Sequence, residues 1–249
     1  TAILVSGTGI AQVIPILMQL VLRRTYSIED FGAFSVYMSL LSPFVVIALF
    51  RYEIAIVIPS DKKDATNLFA ISLITNLIFV AFLLLIIILF KNPVISLFNF
   101  PEKYSYYLYF LPLGILLFGA SQSINYFLIR EKAFKASAIN KISRRIAEGF
   151  TQVIFGLIKQ PVGLVIGDII GNLSNNISGF RQLLKADFNF ADVTKDKIKS
   201  LFSGYSSFPK YNLLPAILDT ITVALPVLFI NKFFSAQYTG YFDLTQVAL

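Results

Sequence analysis

No cysteine, histidine or tryptophan occurs anywhere in the chain. Without cysteine there is no disulfide and no thiolate metal site, and nothing marks the redox compartment. Without histidine there is no His–Ser or His–Cys catalytic pair, no HExxH zinc site and no histidine proton relay. Without tryptophan, any aromatic belt at a membrane surface falls to the 12 tyrosines and 25 phenylalanines. Charge is scarce as well. Charged residues make up 14% of the chain and hydrophobic ones 56%, whereas a soluble domain carries about 25% charge. The mean hydropathy is +0.73. That is too much apolar surface for one soluble core, and the chain reads as an all-α, polytopic membrane bundle. The net charge of +7 does not point to nucleic acid, because the basic residues sit between apolar runs and form no stripe. No signal peptide is visible. The sequence opens inside one apolar segment and stops inside another, which reads as a piece cut from a longer protein.

A membrane-crossing helix takes about 20 apolar residues. Seven segments qualify, at 2–22, 33–50, 68–90, 106–128, 146–158, 161–180 and 208–230, and an eighth begins at 240. The fifth is short and reads as starting nearer Ile142. Loops after the second, fourth and sixth segments hold 15 of the 21 Lys and Arg residues. The positive-inside rule then puts those loops, and the N-terminus, on the cytoplasmic side. The expected organisation is a six-helix lobe over 1–185, a cytoplasmic linker over 186–207 with an amphipathic stretch at 195–202, and the start of a second lobe over 208–249. An internal echo supports it. "YSIEDFGAF" at 26–34 aligns without gaps with "FSAQYTGYF" at 234–242, a spacing of 208 residues. Each copy joins the first two helices of its series, as in transporters built from parallel repeats about an axis along the membrane normal.

Polar residues inside spans usually face a bundle interior or a wet cavity. Thr8, Gln12, Pro15, Gln19 and Arg23 share one face of the first helix at about 100° per residue. Asn212, Pro215, Asp219, Thr222 and Pro226 do the same in the seventh. These stripes read either as helix–helix hydrogen bonding with kinks or as walls of a hydrophilic cavity between lobes. Asp219 sits near mid-span, where an ionised group costs about 2.5–3.5 kcal/mol. It therefore needs a cation, water or a proton; Arg23, Arg24 and Arg51 are the candidate partners. It reads as an ion-coupling group or as a neutral acid held for packing. Gly163, Gly167, Gly171, Asn175 and Gly179 form a small-residue ridge suited to close helix packing. Asp168, Asn172 and Asn176 lie beside it as a polar row that can look into the cavity. Glu148 follows Arg144 and Arg145 by one turn, the spacing of a surface ion pair near the cytoplasmic end. "SGTGIAQV" is not a phosphate loop, since no Lys follows and it lies in an apolar helix. No metal-ligand cluster occurs, and no cofactor is expected.

The stretch "SPFVVIALFRYEIAIVIPSDKK", 42–63, interrupts an apolar run with Arg51 and Glu53. They read as an interfacial anchor, with Arg51 reaching for headgroups, or as a charged gate lining the cavity. "LFRYEIAIVIPSDKKDATNL" resembles the RYE-x-A-I signature after the second helix of bacterial polysaccharide and O-antigen flippases. That family belongs to the multidrug/oligosaccharidyl-lipid/polysaccharide exporter superfamily. "YSIEDFGAFSVYMSLLSPF" and "INYFLIREKAFKASAINKISRRI" are similar to it too. The resemblance implies twelve to fourteen helices in two lobes, both termini cytoplasmic, in the bacterial cytoplasmic membrane. It implies a transporter rather than an enzyme, one that moves a lipid-linked oligosaccharide on polyprenyl diphosphate between leaflets by alternating access; H+ or Na+ is the candidate coupling ion that Asp219 suggests. Arg23, Arg24 and Arg51 are then expected at the diphosphate, because arginines neutralise it. Gln12, Gln19 and Asn212 are expected at the sugars, and Asp219 and Glu53 at the coupling ion or gate. A drug or cation antiporter of the same superfamily wants a carboxylate-rich, less basic cavity. A membrane glycan polymerase or ligase wants a large outer loop, and the outer loops here reach only about 17 residues.

Overall fold

The computed structural model describes residues 18–98, 100, 102–186 and 188–248. The described chain is built of helices, with no strand among the described residues. Helix α1 covers residues 18–25. It is followed by α2 (Ile28–Leu49), α3 (Tyr52–Ala55), α4 (Lys62–Leu89), α5 (Lys91–Phe98) and α6 (Tyr107–Arg130). Then come α7 (Phe134–Leu157), α8 (Gly163–Lys185), α9 (Lys195–Gly204), α10 (Leu213–Phe233) and α11 (Ala236–Ala248). Thr8, Gln12 and Pro15 lie outside the described residues.

Local capping sets the helix starts. Ser27 and Asp30 close a reciprocal capping box, so α2 begins at Ile28, five residues before the apolar run suggests. Asp61 caps α4 by accepting from Lys63 N, again ahead of the apolar run. The α2 helix stops where Phe50 and Arg51 both take left-handed backbone, at φ 50° and 63°. Arg51 and Glu53 therefore lie outside α2, and α3 is a separate short turn. The expected amphipathic stretch in the linker is α9, capped by Thr194.

Four helices are long and apolar enough to cross a membrane among the described residues: Ile28–Leu49, Lys62–Leu89, Tyr107–Arg130 and Phe208–Phe233. At 1.5 Å per residue they span more than the roughly 30 Å of hydrocarbon. Helices α7 and α8, with 24 and 23 residues, are long enough but too polar. The fifth segment is also longer than expected, since α7 starts at Phe134 rather than near Ile142. The reason is side-chain pairing: the polar faces of α7 and α8 satisfy each other, so the backbone stays helical without an apolar surface. Asn140 Oδ1 accepts from Ser178 Oγ at 2.7 Å, and Ser143 and Ser174 share a 2.8 Å bond.

The apolar core lies between α2, α4, α6 and α8, around Tyr37, Leu41, Tyr107 and Ile115. A second cluster, around Tyr52, Phe69, Phe127 and Phe188, ties α3, α4 and α6 to the linker. The glycine ridge of α8 is packing surface, as its spacing suggests. A Cβ on Gly167 would lie 2.3 Å from Gln152, and one on Gly171 2.9 Å from Glu148.

A candidate cleft between repeated helix pairs

Helices α2 and α11 cross at two glycines. A Cβ on Gly32 would lie 1.7 Å from the Ala236 carbonyl oxygen, and one on Gly240 2.0 Å from the Ile28 carbonyl oxygen. The contacts are reciprocal. Ile28 and Ala236 are 208 residues apart, as are Gly32 and Gly240. A surface that meets its own repeat in this way has a local two-fold axis.

One turn further along α2, Ser35 and Asp243, another pair 208 apart, meet beside that axis. Ser35 Oγ donates to Asp243 Oδ1 at 2.9 Å. Asp243 Oδ2 takes the Arg23 guanidinium at 2.6 Å. Arg23 Nε donates to Gln19 Oε1 at 3.0 Å, and its guanidinium lies 4.0 Å over the Phe31 ring. Both partners of the ion pair are largely shielded. Water screens such a pair less than it screens one on an open surface.

Beside this cap a cleft of about 350 Å³ opens between α2, α10 and α11, room for roughly ten waters. Its polar lining is Ser35, Ser39, Ser42, Asp219, Thr220, Asp243 and Gln246. Asp219 is exposed there and has no hydrogen bond or ion pair among the described residues. A second hollow, of about 480 Å³, lies on α4 between Phe50 and Phe202 and is lined almost wholly by apolar side chains. It offers hydrocarbon a seat but little to orient a charged headgroup.

The sequence-expected residues divide. Arg23 and Gln19 form the cap, and Asp219 lines the cleft. Arg24 is exposed and does not line it. Asn212 is exposed at the start of the α10 stripe, whose Pro215, Thr222 and Pro226 are exposed too. Gln12 lies outside the described residues. Arg51 and Glu53 sit beyond the far end of α2, which is about 33 Å long at 22 residues. They bind each other at 3.3 Å, so neither Arg51 nor Arg23 is Asp219's partner. Glu53 is 2% exposed. Burial pushes its carboxyl up from 4.5 to about 7, against the opposing pull of a backbone hydrogen bond and Arg51.

Two expectations are corrected. Asp168, Asn172 and Asn176 face α6 and α7 inside the bundle, not the cleft: Ser121 Oγ donates to Asn176, and Arg144 reaches Asp168. Glu148 pairs with Arg145 at 3.0 Å, but it is largely buried rather than on the surface. Asp243 escaped the sequence reading, although extending the repeat alignment by one residue pairs it with Ser35.

The structure defines a class: a helical bundle with membrane-length apolar helices, in which α2, α10 and α11 enclose a polar cleft. A family model described as polysaccharide biosynthesis protein matches residues 21–248, and the chain belongs to that family. A solved structure named protein A superposes with a TM-score of 0.71 at 18% identity, over 99% of this chain and 60% of that one. That likeness shows the fold alone, and this chain spans 60% of that protein's length. No curated protein matches.

Proposed function

We propose that the full-length protein is a transporter, not an enzyme, that carries a polyprenyl-diphosphate-linked oligosaccharide across the bacterial cytoplasmic membrane by alternating access. The observation that carries this reading is the hydroxyl- and carboxylate-lined cleft beside a two-fold crossing, in a chain of the polysaccharide biosynthesis family. A diphosphate–sugar headgroup cannot cross hydrocarbon bare. A cleft that replaces its water with Ser, Thr and Gln groups lowers that barrier.

The charge asymmetry puts the start of α10 and the end of α2 at the cytoplasmic face. The Arg23–Asp243–Ser35 cap then closes the outer end, and the cleft faces the inner leaflet. Arg23 is spoken for by Asp243 in this state. Breaking that pair frees a guanidinium for the diphosphate as the outer end opens. Arg51, at the inner mouth, meets the headgroup before transit, and Arg24, one residue on from Arg23, meets it after. Gln12, Gln19 and Asn212 serve the sugars. Asp219 takes the H+ or Na+, with Glu53 as a gate at the inner end.

The two carboxylates at the cleft, Asp219 and Asp243, favour one second reading, a cation or drug antiporter. One experiment separates the two. Arg23→Ala and Asp219→Asn are placed in the full-length protein in cells. Surface glycan should fall at unchanged protein level, with cationic dye export untouched. Normal glycan with lost dye export selects the antiporter, and no change in either retires both assignments.

A further inference from the structure

Away from the cleft, α7 and α8 enclose a second polar cluster. Asp168 is 1% exposed. Its Oδ1 accepts from Arg144 Nη2 and from Asn172 Nδ2, each at 3.1 Å. Its Oδ2 is buried without a partner among the described residues. The same holds for Asn172 Oδ1, Arg144 Nε and Tyr37 Oη. The Tyr37 hydroxyl, from α2, lies within electrostatic range of Asp168. Four polar atoms left open at one place are uncommon, because buried polar groups are nearly always satisfied.

An ionised carboxylate with one oxygen unpaired in a buried site is costly, and a proton on that oxygen removes the cost. Protonating a buried acid usually strands its cation. Here it does not. Arg144 Nε lies 4.0 Å from Glu148 Oε2, and Glu148 already holds Arg145 at 3.0 Å. Arg144 thus has a second carboxylate one turn along its own helix. The close approach of α8 at Gly171, against the Glu148 Cβ and the Arg144 carbonyl oxygen, keeps both acids within its reach. The groups facing Asp168 are Arg144, Arg145 and Glu148 from α7, Tyr37 from α2, and Asn172 from α8. The Phe118 ring from α6, 5.0 Å from the Arg144 guanidinium, does not titrate.

We infer that Asp168 is a reversible proton-binding site: Oδ2 takes a proton from water, and Arg144 passes from Asp168 on α8 to Glu148 on α7. The O–H bond formed at Oδ2 replaces one broken in a hydronium ion, which leaves as water, and no other covalent bond changes. Proton binding thereby loosens the cross-link between α7 and α8. Using that proton to drive transport rests on the flippase reading, but the binding itself does not and is measured without substrate.

The test is infrared difference spectroscopy of the full-length protein in lipid nanodiscs between high and low pH. A reversible protonated-carboxyl band should appear, vanish in Asp168→Asn and survive in Asp219→Asn. In Glu148→Gln its midpoint should fall by about one pH unit, because Arg144 then keeps Asp168 as its sole anion. A structural ion pair would give no such titration. Should Asp168→Asn fail to fold, Asp168→Glu must move the band. A band indifferent to position 168, or a midpoint indifferent to Glu148, overturns the inference.

Discussion

At the residue scale, the charges that interrupt the apolar pattern have partners that sequence spacing does not reveal. Arg51 and Glu53 are two residues apart, and in a regular helix they would point apart. They meet because Phe50 and Arg51 adopt left-handed backbone, which turns the chain back on itself. Glu53 is buried in that turn, and burial raises its pKa from 4.5 to about 7. A raised carboxyl pKa means the folded state holds the proton more tightly. Its contribution is complete below about pH 4.5 and is lost as pH rises through about 7. The melting temperature of the protein in detergent should therefore fall across that window, by an amount equivalent to about 3 kcal/mol. Glu53→Gln cannot ionise, so its melting curve should lose that slope. An unchanged slope would mean that Glu53 is not the group responsible.

At the element scale, packing depends on the few places where backbones touch. At the Gly32–Gly240 crossing a carbonyl occupies the space of each missing side chain. Backbone cannot rotate away as a side chain can, so Gly32→Ala should destabilise the α2–α11 contact by about 3 kcal/mol or more. Gly204→Ala is the control, because nothing lies within 4 Å of the added methyl. Thermal melting of both variants checks this; equal melting temperatures would mean that the crossing relaxes. Helices α7 and α8 show the complementary principle. Their glycines admit close approach, and their hydroxyls and amides then bond across the gap. That pairing explains why hydropathy shortens a polar span: the run at 146–158 is only the apolar end of a 24-residue helix.

At the scale of the whole molecule, the repeat is the organising feature. Gly32 meets Ala236 as Gly240 meets Ile28, and two pairs 208 residues apart, Gly32 with Gly240 and Ser35 with Asp243, lie against each other beside the same axis. No cysteine occurs in these 249 residues, so none of them competes with a pair placed at Ser35 and Asp243. Ser35→Cys with Asp243→Cys should cross-link under mild oxidation in resting membranes and arrest transport, and reductant should restore it. Full transport by a fully cross-linked protein would mean that the cap does not open during the cycle.

The sequence by itself determined the helical class and the apolar spans that point to a membrane setting. Each of these is written in spacing that a single helix or a short motif can express. Asp219 was legible because a charge in mid-span is anomalous wherever the neighbours lie. Only the tertiary structure decided the partners. Arg23 chose Asp243 over Asp219, Arg144 reached Asp168 across a glycine ridge, and Arg51 closed on Glu53 through two left-handed residues. The physical reason is range. Hydropathy and periodicity act within one helix, whereas an ion pair is set by where separate helices bring their side chains within about 4 Å, and no local pattern encodes that distance.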